Sequence, residues 1–227
     1  GGPGRTPSEC ESSGAVVANR IPIPFYAGYL AWLERQDDAV LLETARPDSA
    51  NRRSLLFVEP VETVTARTLD DVGPALETVS KAVEGGLHAA GWIAYEAGFA
   101  FEEVLYPLAR PQAEPVLWMG LYRKPLVYDH RAGRFEGGQV LQRAIPTTAS
   151  ASVLEPEPSV PEAQYAESFH EVLERIADGD TYQINLTFPL RFDHQGCAAE
   201  LYGRLRRAQP VPYAALMRCG DLTILSF

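Results

Sequence analysis

The apolar and polar positions of this chain follow two periods, and these periods divide it into predicted helices and strands. Tyr165, Phe169 and Val172, for example, fall on one helical face, whereas residues 61–66 alternate in a way that suits an antiparallel strand. The predicted helices are 25–35, 69–84, 96–106, 162–178 and 197–208. The predicted strands are 39–44, 54–58, 61–66, 89–95, 116–122, 125–128, 139–143, 182–192, 213–219 and 222–227.

Local signals refine two of these elements. Thr68 is a candidate N-cap, and Asp70 and Asp71 suit the positive end of the helix dipole that follows it. Pro74 is awkward inside that helix and favours its first turn. Gly91 lies in a predicted strand, where the missing side chain allows another backbone to approach closely.

Composition along the chain predicts its domain organisation. Residues 1–20 are rich in Gly, Pro and Ser without the features of a signal peptide, so we expect a disordered arm. Residues 21–143 then form an N-terminal α+β subdomain. Residues 144–161 hold four prolines and predict a Pro-rich linker. Residues 162–227 begin a second domain, which we expect to be incomplete because Ile224–Phe227 is an unfinished apolar, strand-like run.

The overall composition narrows the class of partner. Thirty acidic and 20 basic residues give a net charge of −10, which argues against binding to nucleic acid or to an anionic membrane. The three cysteines have no metal-ligand spacing, so neither a zinc site nor a disulfide scaffold is indicated. Cysteines that are few and widely spaced fit a protein of the reducing cytoplasm. No apolar run approaches the ~18 residues of a membrane helix.

Two groups of polar residues are candidates for a site. On the predicted strand 182–192, Gln183, Asn185 and Thr187 point to one face, because side chains of a strand alternate. This face is either solvated or the polar wall of a pocket. The loop between residues 43 and 54 carries several arginines and is either an exposed charged loop or a pocket in which Arg meets a carboxylate. The four histidines lack ligand spacing, and we expect structural or surface roles for them.

Several segments resemble the chorismate-utilising enzyme family. The stretch Gly179-Asp180-Thr181-Tyr182-Gln183-Ile184-Asn185-Leu186-Thr187 is similar to the family's GD-x-YQ-x-NL segment. Four further segments match family motifs in the same order: 40–44, 53–57, 90–96 and 211–215, followed by the run-up to an SPE motif at 224–226. The resemblance covers about residues 38–227. It implies an α+β fold in which antiparallel β-sheets face each other and helices pack outside.

The resemblance also implies a reaction. Members that add water to chorismate carry a Lys where this chain has Gln183, and Gln cannot take a proton at neutral pH. Gln183 therefore suits members that use ammonia. Asn185 favours the aminodeoxychorismate synthase branch, component I, over anthranilate synthase component I, where an apolar residue is usual. A third alternative, from a different class, is a non-catalytic amino-acid-binding or docking module.

The same family pattern implies cofactors, partners and sites. Mg²⁺ would be held by late Glu residues, and ammonia would come from a glutamine amidotransferase subunit. The catalytic residues and metal ligands are expected beyond Phe227, so we expect this chain to be inactive alone. Within the chain, Gln183, Asn185 and Thr187 match the substrate-pocket wall. A pocket that could hold L-tryptophan would be lined by six residues, which are Glu43, Thr44, Arg53, Ser54, Pro212 and Tyr213.

Overall fold

The computed structural model describes residues 29–30, 32–111, 113–138 and 151–227. The strands are β1 (Asp38–Glu43), β2 (Arg53–Val58), β3 (Glu62–Ala66), β4 (His88–Ile93), β5 (Leu117–Tyr122), β6 (Leu126–Asp129), β7 (Arg134–Phe135), β8 (Ser152–Pro158), β9 (Leu190–Gln195), β10 (Ala214–Cys219) and β11 (Leu222–Ser226). The α-helices within these ranges are α1 (Val72–Glu84), α2 (Glu162–Ala177) and α3 (Ala198–Ala208). Residues 29–30 and 32–33 are helical and precede β1.

The largest sheet has six strands in the order β11-β10-β1-β2-β6-β7, and every neighbouring pair is antiparallel. In its centre Leu41 of β1 lies opposite Leu56 of β2 and Leu216 of β10. These three side chains pack with Tyr202 of α3 and with Leu33 of the helical residues before β1. One face of the sheet is therefore covered by helices.

The opposite face of the same sheet packs on a second sheet, of order β3-β5-β4. Val40 and Phe57 from the large sheet meet Ala90, Trp118 and Tyr122 from the small one in a shared core. Because β1 and β2 bury side chains on both faces, their sequences are nearly continuous apolar runs. The expectation of an α+β fold with facing antiparallel sheets agrees with this arrangement.

Helix α1 covers the outer face of the small sheet through Val72 and Ala75. A 3₁₀ turn precedes it, and the carboxylate of Asp71 accepts a hydrogen bond from the backbone N–H of Thr68 at 3.0 Å. Pro74 falls in the first turn of the α-helix, as its missing N–H requires. The placement of Pro74 is thus confirmed, but Thr68 is the N-cap of the 3₁₀ turn, and the α-helix begins at Val72 with Asp71 as its N-cap.

Other elements differ from the predictions. Residues 96–106 contain no α-helix but lie in and between two 3₁₀ helices, Tyr95–Phe101 and Tyr106–Leu108. The predicted linker 144–161 contains strand β8, which pairs with β9 in a two-stranded sheet of its own. Residues 144–150, the predicted arm 1–20 and the predicted strand 139–143 lie outside the described residues.

The predicted strand 182–192 is only partly present. Residues 190–195 form β9, but residues 183–189 have no strand assignment and no ladder partner in the part of the chain that the structure describes. An alternating sequence can extend the backbone, but a strand also needs a neighbour for its N–H and C=O groups. The rings of Tyr165 on α2 and Phe188 are in edge-to-face contact, with their centroids 5.4 Å apart. This contact holds the segment against α2.

No helix among the described residues is long and apolar enough to cross a membrane. Cys219 is a free thiol. The cytoplasmic location stays a prediction.

The close contact at Gly91 gives a test of sheet packing. A Cβ atom at this position would lie 2.8 Å from the Cα of Met119 and closer still to the backbone oxygen of Trp118. We expect Gly91→Ala to destabilise the protein by about 1–3 kcal/mol, because neither backbone group can give way. Gly98→Ala is the matched control, since nothing lies within 4 Å of its Cβ position. Equal melting temperatures for the two variants would contradict the assigned pairing of β4 with β5.

Candidate functional site

A cleft of about 500 Å³ opens where β1 ends and β2 begins. The ends of β1 and β11 and the start of β10 form its strand walls, and the loop between β1 and β2 forms its mouth. The lining residues are Leu42, Glu43, Thr44, Ala50, Asn51, Arg52, Arg53, Leu55, Tyr213, Ala214, Ala215 and Ser226. The cleft therefore combines apolar walls with hydroxyl, amide and charged groups.

Two hydroxyl groups fix the backbone at the edge of the cleft. The ladder between β1 and β2 ends at the pair Leu42 and Leu55. Beyond it, the Oγ of Ser54 accepts a hydrogen bond from the Thr44 N–H at 3.1 Å, and the Thr44 hydroxyl donates to the Arg53 carbonyl at 2.8 Å. These side chains satisfy backbone groups that the ladder no longer pairs. Strand β1 can thus diverge from β2 without leaving these polar groups unsatisfied.

A buried carboxylate lies beneath the cleft. The hydroxyl of Tyr202 on α3 donates to Oε2 of Glu43 at 2.6 Å, and Nε of Arg206 donates to Oε1 at 2.8 Å. Arg206 also donates to the carbonyl of Ala45 at 3.4 Å. The side chain of Glu43 has no exposed surface, and that of Arg206 is 9% exposed. The network fastens α3 to the last residues of β1.

Burial sets the protonation behaviour of this network. It raises the pKa of Glu43 to about 7, against the opposing effect of the hydrogen bond from Tyr202. Burial also raises the pKa of Tyr202, so the phenol is a neutral donor at pH 7. The pKa of Arg206 falls to about 10 through burial, which leaves the guanidinium charged at neutral pH. This cation, 2.8 Å from Oε1, stabilises the ionised form of Glu43.

The mouth of the cleft is bridged by a hydrogen bond. The hydroxyl of Tyr213 donates to Oδ1 of Asn51 at 3.0 Å, although the Tyr213 side chain is largely exposed. Asp48 holds the loop that presents Asn51, because its Oδ1 accepts hydrogen bonds from the N–H groups of Ala50 and Asn51. Such a turn fixes the backbone locally. Tyr213 and Asn51 thus span the opening from opposite sides.

The arginines of the loop have acidic partners within the protein. Nε of Arg53 is 2.7 Å from Oε1 of Glu136, and Nε of Arg52 is 3.6 Å from Oδ2 of Asp129. Behind the cleft, the Oγ of Ser54 lies 2.7 Å from Nε2 of His130. Burial lowers the pKa of His130. A ligand carboxylate at this site would compete with Glu136 for Arg53.

The structure brings most residues of the predicted tryptophan pocket together at the cleft, whereas the residues of the predicted substrate-pocket wall lie elsewhere. Glu43, Thr44, Arg53 and Tyr213 line the cleft, and Ser54 lies directly behind it. Pro212 is not among the lining residues. The residues that match the substrate-pocket wall are exposed side chains of the segment after α2 and do not line the cleft; they are Gln183, Asn185 and Thr187.

Sequence reasoning missed the partners of Glu43. Of the three arginines on α3, Arg206 is buried, whereas Arg204 and Arg207 are exposed. A signal was present, because Arg206 follows Tyr202 by four residues and so shares its helical face.

Comparison with known proteins assigns the chain to a family. Residues 31–227 match the model of the chorismate binding enzyme family, which is most of the chain. The chain belongs to this family. It is also 28% identical over 213 residues to a Salmonella typhimurium protein named aminodeoxychorismate synthase component 1, over 78% of this chain and 46% of the relative. The chain thus spans about half the length of that curated relative. Both the cleft and the 179–187 segment lie inside the range that matches the family.

The buried ion pair gives a test of what holds the cleft. We expect Arg206→Met to destabilise the protein by about 3–5 kcal/mol at pH 8.5, because it leaves the Glu43 carboxylate buried without its cation. Arg207→Met, at an exposed position of the same helix, should change stability by no more than about 0.5 kcal/mol. Denaturant unfolding of both variants measures the difference.

The pH dependence of this loss follows from Glu43. The pKa of Glu43 in the folded protein is about 7, above the ordinary value of 4.5 that applies in the unfolded chain. The folded state therefore holds the proton of Glu43 more strongly than the unfolded state does. The contribution of Glu43 to stability is therefore complete below pH 4.5 and is lost as the pH rises through 7. Removing Arg206 raises this pKa further, so the deficit of Arg206→Met should shrink at pH 5. A deficit that is independent of pH would rule out the charge of Glu43 as its cause.

Proposed function

We propose that this chain is part of an enzyme that replaces the C4 hydroxyl group of chorismate with the nitrogen of ammonia, forming 4-amino-4-deoxychorismate and water, on the route to para-aminobenzoate and folate. Membership of the chorismate binding enzyme family supports the substrate. The name of the Salmonella relative, aminodeoxychorismate synthase component 1, supports the product. The observation that carries the choice of nucleophile is Gln183 within the 179–187 segment.

Gln183 bears on the reaction through its chemistry. A primary amide donates and accepts hydrogen bonds but takes no proton near pH 7, so it cannot activate water as a general base. Neutral ammonia is a stronger nucleophile than water and does not need that base. Gln183 can instead orient a carboxylate or hydroxyl of the substrate, together with Asn185 and Thr187. Since all three side chains are exposed, this role needs a second surface to enclose the substrate.

Magnesium and the ammonia source are further parts of the proposal. Among the described residues, no group of three or more His, Cys, Asp or Glu side chains could hold a metal ion. These residues do not fit a Mg²⁺ site, and their proposed roles do not involve the metal. The component 1 name of the relative favours a second component, which we take to be a glutamine amidotransferase that supplies ammonia.

We also propose that the cleft binds an amino acid of the size of L-tryptophan. Leu42, Leu55 and Ala214 offer apolar contact to a side chain, and Tyr213 offers an aromatic face. The Thr44 hydroxyl and the amide of Asn51 lie at the same opening and suit the polar end of such a ligand.

The product distinguishes the candidate functions. We expect the intact protein, given chorismate, Mg²⁺ and ammonium, to form aminodeoxychorismate without releasing pyruvate. Gln183→Ala should lower kcat/KM by roughly 10²-fold through loss of a positioned hydrogen-bonding group, whereas Gln164→Ala, on the exposed surface of α2, should not. Release of pyruvate with anthranilate would establish the alternative enzyme. Absence of turnover under these conditions would favour a non-catalytic binding module.

Calorimetry tests the amino-acid cleft separately. L-Tryptophan should bind with measurable heat and raise the melting temperature. Tyr213→Ala should weaken this binding up to about tenfold by removing an aromatic wall. Tyr182→Ala is the matched control, because Tyr182 is also a largely exposed tyrosine but lies outside the cleft. If wild-type protein gives neither heat nor a thermal shift with tryptophan, the amino-acid assignment is wrong.

A further inference from the structure

The segment between β4 and β5 carries large apolar side chains on the surface. Tyr95 is 87% exposed, Val104 is 84% exposed, and Phe101 and Leu108 are each more than 60% exposed. We name residues 95–108 the 95–108 face. Single exposed apolar residues are ordinary, but several in one short segment indicate an interaction site.

This face is held in place by hydrogen bonds. Within it, the N–H groups of Leu105 and Tyr106 both donate to the carbonyl of Glu102, at 2.9 and 3.0 Å. The Tyr106 hydroxyl donates to Oδ1 of Asp70 at 2.6 Å, which ties the segment to the 3₁₀ turn before α1. The apolar side chains are therefore presented by an ordered backbone, which lowers the entropy cost of binding a partner.

The charged residues within this face are all acidic. Glu96, Glu102 and Glu103 lie within the face, and Asp70 adjoins it through Tyr106. Arg110, just past the end of the face, carries the nearest positive charge in sequence. In a symmetric dimer built on this face, the same acidic groups would oppose each other, which is unfavourable. The complementary partner has an apolar centre with a Lys and Arg rim.

We infer that the 95–108 face is the docking surface for the second component, the subunit that delivers ammonia. This inference rests on the proposed function, which supplies the identity of the partner. Val104 and Phe101 would act as apolar anchors, since central, desolvated side chains dominate most interfaces. The acidic residues would guide association with a basic rim and make its rate depend on salt.

The test uses the intact protein with the glutamine amidotransferase subunit of the same organism, and measures Kd by calorimetry. Val104→Asp should weaken binding by at least about tenfold, because it puts a charge at the apolar centre. Val153→Asp is the control, an exposed valine of β8 in the separate two-stranded sheet, and should bind like wild type. The double variant Glu102→Lys, Glu103→Lys should weaken binding most at low salt.

Each other outcome overturns the inference in a recognisable way. Wild-type affinity in Val104→Asp would place docking elsewhere. A melting temperature that falls only in Val104→Asp would mean that the same polypeptide covers the face, and a homodimer that this variant dissociates would mean that a second copy does. If wild-type protein does not bind the subunit but turns over chorismate with free ammonium, the partner is wrong and the proposed function stands. Absence of that ammonium-dependent turnover is the separate failure of the proposed function.

Discussion

The pairing of Glu43 with Arg206 and Tyr202 is the constraint on which the cleft depends. It joins the last residue of β1 to the middle and end of α3, across 159 and 163 residues of sequence. An apolar pair of similar volume could pack here as well, and buried ion pairs often add little net stability. An apolar pair could not, however, donate a hydrogen bond to the Ala45 carbonyl as Arg206 does. The ion pair thus fixes where β1 ends.

That end point matters because β1 belongs to two cores at once. Its Leu41 packs toward α3 and its Val40 packs toward the small sheet. A strand buried on both faces reads as a plain apolar run, and such runs were the easiest elements to predict, as β1, β2 and β10 illustrate. Gly91 was predictable for a related reason, since only a missing side chain permits the approach of β5 at that position.

The sequence patterns failed where the structure depends on a neighbouring strand or where a strand contains residues that usually break one. Strand β8 contains Pro156 and Pro158, which signal a linker, but prolines are tolerated in a two-stranded sheet where one edge of each strand needs no partner. Residues 183–189 carry a strand pattern without a described neighbour, so pattern alone was insufficient. The convergence of Thr44, Arg53 and Tyr213 came from family resemblance, since no local rule brings β1, β2 and the start of β10 together.

The two groups of candidate residues therefore rest on different kinds of argument. For the cleft, geometry carries the case, because pairing among β1, β2 and β10 builds its walls and hydroxyl groups satisfy the backbone at its edge. For Gln183, chemical identity carries the case, because an amide cannot act as a base wherever it lies. The first argument concerns what can bind, and the second concerns which nucleophile can react. Since neither depends on the other, an amino acid could bind in the cleft whether or not the surface at Gln183 is enclosed.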